Sequence, residues 1–454
     1  MRNAAITLSQ AAQWCGGRVE KKYENTVFSG ACFDTRKIRE GQLFAALVGA
    51  RNGHDFVQTA MAQGAVAVLA SERLSQDIPA IYVENTLSAL QAIAKGYRES
   101  LDAKCIGITG SVGKTTTKEM IAAVLQTTLR TQKTAANYNN DIGLPVTVLE
   151  LEKDCQAAVL EMGMNHFGEI SVLTKIAQPD IAVITNVGTM HIENLGSREG
   201  ILQAKLEILE GLKENGTVVF CGDNDLLHSV SEKHHAVQYG MQMHNDVRAF
   251  DVQTIEDRTL FKVSAFGKEF SAELPTVGEH NVLNALCAIT VGMVCKVPVE
   301  NIQAGLLSFR NAGMRQDIYE VNGIKIIADC YNAGPESMRA ALQVLARSSG
   351  RRIAILGGML ELGEYAPQAH FEVGQEAAKT ADVLLAYGAN SEAYVNGAKM
   401  LKMAYAQAFE THEELVQALQ ALLCEGDTLL IKGSRGMRME RVLQLAELER
   451  KGET

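Results

Sequence analysis

Apolar positions recur with two different periods along the chain, and the changes between them divide it into parts. Up to about Val83, short apolar runs (GQLFAALVG, AVAVLA, AIYVEN) alternate with short helical patterns such as Asp55–Gln63. The runs have the length and composition of buried strands. From Asn85 a helical period, NTLSALQAIAKGYRESL, leads into an alternation of buried strands and amphipathic helices. Its strands are predicted at Lys104–Thr109, Ala157–Glu161, Ile181–Asn186 and Thr217–Cys221. Strands separated by helices of this length form parallel, doubly wound sheets. Arg248–Leu274 changes to two-residue alternation and predicts antiparallel strands. A second alternation of strands and helices starts near Gly323, with GIKIIADC, RRIAILGG, ADVLLAYG and DTLLIKG as its strands. The expected fold class is therefore α/β in three domains. A small α/β domain is placed at 1–84, a central doubly wound, mainly parallel sheet at 85–312, and a Rossmann-like α/β domain at 313–454.

Length agrees with that division, since 454 residues at about 150 per domain make three. With 47% hydrophobic and 21% charged residues, the composition excludes a mainly disordered chain. Lys and Arg number 43 against 53 Asp and Glu, a net charge of −10 with no long basic block. That balance argues against general affinity for nucleic acid or anionic membranes. The nine cysteines are scattered and never form C-x-x-C, which suits reduced core thiols better than disulfides or zinc. The N-terminus has no long apolar segment, and no stretch approaches 18 uninterrupted apolar residues. A cytoplasmic protein without membrane insertion is expected.

The strongest local signal is CIGITGSVGKTTT, residues 105–117, where a buried strand runs through a glycine-rich turn into a helix. Glycines let backbone N–H groups converge on phosphate oxygens, and the helix N-terminus adds partial positive charge. Thr109, Gly110, Ser111, Val112, Gly113, Lys114, Thr115 and Thr116 are thus candidate ATP contacts, with Lys114 reaching the β- and γ-phosphates and Thr115 on Mg²⁺. The spacing departs from the standard phosphate loop, whose first glycine would fall at Ile108. Ligands of open α/β sheets collect beyond the carboxyl ends of strands. Glu161 and His191 follow two such ends; either an acid holds a metal there or it is an ordinary loop residue.

Between Ser197 and Leu212 a helical period collects Ile201, Leu202, Leu206, Ile208, Leu209 and Leu212 on one face. Lys205 falls near the middle of that face. Either its amine snorkels to water or it is held dry with a lowered pKa, available as a neutral amine that CO₂ converts to an anionic carbamate.

Taken together, these residues resemble the Mur ligase family of cell-wall enzymes over nearly the whole chain. Asp34-Thr35-Arg36, GQLFAAL from Gly41 and Asn52-Gly53-His54-Asp55-Phe56 are similar to its uridine-nucleotide domain. TGSVGKTTTK is similar to its ATP loop, and the segments Asn137–Pro145, Glu161–Glu169 and Thr185–His191 to central-domain motifs. Lys205 matches the family's carbamylated lysine. Asn281, in GEHNVLN, matches an adenine-side contact; Arg315 matches an arginine reaching towards the phosphates; Asp329 and Asn332 match a segment holding ribose and base. On the residues alone, Asn281 and Asn284 serve equally as helix capping, Asp329 as a turn, and Asp34-Thr35-Arg36 as a surface turn with a local ion pair. Lys432-Gly433-Ser434-Arg435 suits a carboxylate or phosphate but is also an ordinary basic loop. Gly334 and Gly358 stand where the family often has Asn and Asp.

The resemblance implies an ATP- and Mg²⁺-dependent ligase, with Lys114, Lys205 and His191 catalytic. Thr115, Glu161, His191 and carbamylated Lys205 would form the metal set, and Asp34, Thr35, Arg36 and Asn139 would hold the UDP-linked substrate. The closest likeness implies addition of D-alanyl-D-alanine to UDP-N-acetylmuramoyl-tripeptide through an acyl phosphate, by a monomer that closes on its ligands. The alternatives are another amino-acid ligase of the family, a folylpolyglutamate synthase-like enzyme, or a non-catalytic nucleotide-binding regulator. The chain lacks the Asp-Asn-Pro-Arg expected of the diamino-acid ligase.

Overall fold

The computed structural model describes residues 5–232, 235–311 and 313–450; Ala312, at the expected second boundary, lies outside them. Three large sheets follow one another along the chain. The first has the order Arg18–Val19, Ala80–Tyr82, Ala67–Ala70, Leu43–Ala45, Ala31–Cys32, antiparallel only at its first pair. The second has nine strands, with Lys104–Thr109 flanked by Ile181–Ile184 and Ala157–Glu161, all parallel. Val247–Ile255, Arg258–Ala265 and Lys268–Leu274 extend it as an antiparallel meander. The third has six strands, parallel from Ile324–Asp329 through Thr428–Lys432, Arg352–Gly357, Val383–Tyr387 and Tyr405–Phe409.

Burial on both faces explains why the central strands read as continuous apolar runs. Ile106 and Ile108 pack into one cluster while Cys105 packs into another on the opposite face. Several expectations need correction. Asp55–Gln63 is a 3-10 turn at Gly53–Phe56 followed by a helix at Val57–Ala62. The strand expected at Ile181–Asn186 ends at Ile184, because Thr185 and Asn186 turn to bind the phosphate loop. The face expected over Ser197–Leu212 is a helix at Arg198–Leu206 that tightens into a 3-10 turn at Glu207–Gly211. There Glu207 accepts from Gly168 N and Ser171 N, and Thr174 Oγ1 donates to the Ile208 carbonyl. These tertiary bonds outweigh the helical period.

The first and second sheets are joined by the helix Thr86–Glu99, capped by Asn85 accepting from Ser88 N at 2.9 Å. A Cβ at Gly96 would lie 2.3 Å from Trp14 Cγ, so glycine permits the close packing of this helix against Leu8–Cys15. Arg98 is buried and donates to the carbonyls of Ala177, Leu101 and Ala103. The seam with the third sheet carries many polar contacts instead: Thr189 with Glu336, Lys325 with Asp257, and Gln316 with His280 and Asn281. Among the described residues, no helix is long and apolar enough to cross a membrane.

Candidate active site

The carboxyl ends of the central strands and the facing edge of the third sheet enclose a cavity of about 600 Å³. The phosphate loop forms its floor. A Cβ at Gly110, whose φ is 153°, would lie 1.8 Å from Thr185 Oγ1, so the turn accepts only glycine. Gly113, at φ 82°, opens the helix Lys114–Gln126. The N–H groups of Lys114, Thr115 and Thr116 precede the first intrahelical acceptor and are free for an anion. Those of Ser111 and Val112 are engaged by Asn186, at 3.1 and 3.0 Å. Lys114 Nζ donates to the Gly110 carbonyl at 2.7 Å, and burial lowers its pKa. Thr109 Oγ1 is buried and lacks a partner.

Glu161 is 2% exposed, an unusual place for a carboxylate. Thr115 Oγ1 donates to its Oε2 at 2.9 Å and Asn139 Nδ2 to its Oε1 at 2.9 Å. Lys118 Nζ stands 3.6 Å from Oε2 and donates to the Thr134 carbonyl at 2.8 Å. Thr115 and Glu161 are therefore brought together, and Asn139, expected beside the UDP-linked substrate, meets the same carboxylate.

Lys205 does not snorkel. It is 1% exposed, and its amine has no hydrogen-bond or ion-pair partner among the described residues. Desolvation, then the nearby charge of Lys114, push its pKa well below the ordinary lysine value. His191 lines the cavity, and its Nδ1 lies 2.5 Å from Glu361 Oε2 across the seam, at an angle short of a well-formed hydrogen bond. Among the described residues, no three His, Cys, Asp or Glu side chains are grouped to hold a cation. Glu161 and His191 thus fall short of a full ligand set unless Lys205 contributes an acid.

Arg315, Asp329, Asn332 and Asn281 also line the cavity. Arg315 stacks 3.6 Å from the centre of the Tyr331 ring. Asp329 accepts from Lys432 Nζ at 2.6 Å, so this buried lysine is committed to an ion pair, and Arg435 pairs with Glu440. Asn281 donates to the Val277 carbonyl and to Gln316 Oε1, while its Oδ1 accepts from Asn284. Neither side chain caps the helix Glu279–Val294, whose N-cap Gly278 receives no side-chain bond; both are spent on neighbouring groups at the cavity wall.

Asp34, Thr35 and Arg36 are not on that wall. Arg36 forms a bidentate pair with Asp34, at 2.9 and 2.7 Å, and holds its carboxyl pKa down to about 2. Asp34 also caps its own 3-10 turn, so the local ion pair is present in this segment. Its nearest tie to the cavity runs from Lys37 to Tyr138, which neighbours Asn139.

Comparison with known proteins decides the lineage. Residues 108–292 match the Mur ligase middle domain, and residues 314–435 match the Mur ligase glutamate ligase domain. The chain is 40% identical over 438 residues to a Bacillus subtilis protein, covering 94% of this chain and 95% of that one. The chain belongs to the Mur ligase family. The Bacillus relative is named UDP-N-acetylmuramoyl-tripeptide–D-alanyl-D-alanine ligase, as is an Escherichia coli relative 35% identical over 97% of this chain and 98% of its own. A crystal structure of MurF from Acinetobacter baumannii superposes with a TM-score of 0.91 at 32% identity, over 99% of this chain and all of that one. MurF from Thermotoga maritima in complex with ADP gives 0.82 at 31% identity, over 92% and 97% of the two chains.

Both glycines noted as departures from the family pattern sit in close surroundings. A Cβ at Gly334 would meet Met190 Cγ at 2.7 Å, and one at Gly358 would meet the Ala389 carbonyl at 3.0 Å. Sequence reasoning missed Lys118, Asn186, Glu336 and Glu361 as site neighbours. Lys118 carried a signal: with Ile121, Ala122 and Leu125 it forms one buried face of the phosphate-loop helix. Glu336 and Glu361 carried none, because their partners Thr189 and His191 lie far away in the chain.

Proposed function

We propose that this chain joins D-alanyl-D-alanine to UDP-N-acetylmuramoyl-tripeptide, consuming ATP through an acyl phosphate in cytoplasmic peptidoglycan precursor synthesis. The near full-length likeness to relatives bearing that ligase name carries the substrate assignment. Along the division 1–84, 85–312 and 313–454, the first part recognises UDP, the second carries the ATP chemistry and the third closes over both. Asp34, Thr35, Arg36 and Asn139 serve the UDP-peptide, and Asn281, Arg315, Asp329 and Asn332 serve the nucleotide. The enzyme works as a monomer.

Two observations fit a divalent cation: Thr115 Oγ1 meets Glu161 beneath the phosphate loop, and the burial of Lys205 pushes its pKa well down, towards the neutral amine that takes up CO₂. Thr115, Glu161, His191 and the Lys205 carbamate would hold Mg²⁺, which supplies charge neutralisation for the phosphoryl group in transfer. Lys114 and the helix N-terminus bind the phosphate chain and stabilise its developing charge. The tripeptide carboxylate attacks the γ-phosphorus and ADP departs. The dipeptide amine then attacks the activated carbonyl, the tetrahedral adduct expels phosphate, and the amine proton is lost to solvent. The seam between the second and third sheets excludes water from the mixed anhydride.

Phosphate release with UDP-muramoyl-tripeptide, measured with and without D-alanyl-D-alanine and paired with mass spectrometry, tests the reading. Dependence on the dipeptide and a new amide are expected; absence of either defeats it.

A further inference from the structure

The third sheet grips one loop of the central domain from two sides. Glu336, in the first turn of the helix Pro335–Ala346, accepts from both Thr189 N and Thr189 Oγ1 at 3.0 Å. Two residues further on, His191 meets Glu361. Both His191 and Glu361 occupy the left-handed region, at φ 65° and 63°. That conformation is disfavoured for side chains of this kind, and persists only where surrounding structure imposes it.

For Glu361 the imposing contacts are visible. Gly358 N donates to the Tyr387 carbonyl at 3.1 Å, Met359 N to His370 Nε2 at 2.9 Å, and Leu360 N to Ser434 Oγ at 2.9 Å. Three successive N–H groups are thus pinned to three separate elements of the C-terminal domain, and the next residue is turned outward. Among the described residues, the Glu361 carboxylate has no hydrogen-bond or ion-pair partner in its own domain. Its side chain is half exposed, so solvation alone would not hold it against His191.

We propose that Glu361 is a positioning residue for His191: carried by the C-terminal domain, it reaches the imidazole only in the closed form and fixes its orientation for ligation. His191 Nδ1 is buried and has no other partner, so the carboxylate brought into line with it draws the ring proton there and leaves Nε2 as the lone-pair nitrogen. Closure of the third domain thereby completes a group that the central domain presents unfinished. This rests on the proposed ligase reading, since it takes His191 to serve that reaction.

Two substitutions test it. Asn tolerates the left-handed conformation, so Glu361→Asn should fold, but its side chain is one methylene too short. Glu361→Gln keeps the reach and one acceptor oxygen. Glu361→Asn should leave the melting temperature and the KM for ATP near wild type while lowering kcat about 10- to 100-fold, the range for losing the partner of a working histidine. Glu361→Gln should recover most of that loss. Imidazole ¹⁵N shifts of His191, assigned by difference from His191→Gln in the ADP complex, should show protonated Nδ1 in wild type and mixed tautomers in Glu361→Asn. Wild-type kcat in Glu361→Asn, no rescue by Gln, or unchanged ¹⁵N shifts would each overturn the proposal. A wild-type enzyme that forms no amide would instead defeat the ligase reading, because the nitrogen shifts do not depend on turnover.

Discussion

Lys205 is buried to 1% exposure with no counter-charge at its amine among the described residues, and a second lysine stands near it. An ammonium there would be repelled and unsolvated, so the site favours a neutral amine or an acid derived from it. Lys205→Ala is expected to lower kcat by roughly 100-fold or more, the scale for removing a group that organises transition-state charge. Short carboxylates should rescue part of that loss, and full activity in the variant would exclude a carbamate. His370 illustrates the opposite use of burial. Its Nε2 accepts from Met359 N, which requires the neutral ring, and desolvation lowers its pKa below the ordinary 6.5. Above 6.5 folded and unfolded chains are both neutral there; as pH falls through 6.5 only the unfolded chain takes up the proton, and stability is lost down to the folded pKa. His280 and His412 are shifted the same way. Melting temperature should therefore drop on acidification below about pH 6.5, and less steeply in His370→Gln.

Elements were legible where one rule governed them. Lys104–Thr109, Ala157–Glu161 and Thr217–Cys221 lie where continuous apolar runs place them, because both their faces are buried. Thr131–Lys133 escaped notice because an edge strand of TQK has no apolar signature. The tightening at Glu207 was hidden for another reason: the N–H groups that donate to it belong to the start of a different helix. The site divided similarly. The phosphate loop and the misplaced Lys205 show in local pattern, while the carboxylates Glu336 and Glu361 of the C-terminal domain do not. Glu336 gives that domain a second grip, separate from Glu361. Glu336→Ala removes two hydrogen bonds to Thr189, about 1–2 kcal/mol of closure energy. Small-angle scattering of the variant with ADP and both peptide substrates should show a larger radius of gyration than wild type. Equal radii would assign the grip no part in closure.

As a whole, the molecule is built asymmetrically. The N-terminal sheet is tied to the central one through the packed helix Thr86–Glu99, with Trp14 against Gly96 and Arg39 paired with Glu150. The C-terminal sheet meets it through the polar pairs of the seam, beside apolar contacts in which Met338 and Leu342 share a buried cluster with Val277 and Ile192. Net charge is −10, so two anionic nucleotides must be drawn by local loops and cations rather than by the overall field.

The guanidinium of Arg98 caps three carbonyls at once and is hidden from solvent, whereas Arg310 is exposed just before the third sheet begins. Trypsin needs an extended, accessible arginine, so brief digestion should cut after Arg310 and spare Arg98. The expected products are one fragment of 1–310 that stays folded and another beginning at Asn311; early release of a piece ending near Arg98 would contradict this. To a protease the molecule would offer two parts, although its sequence counts three.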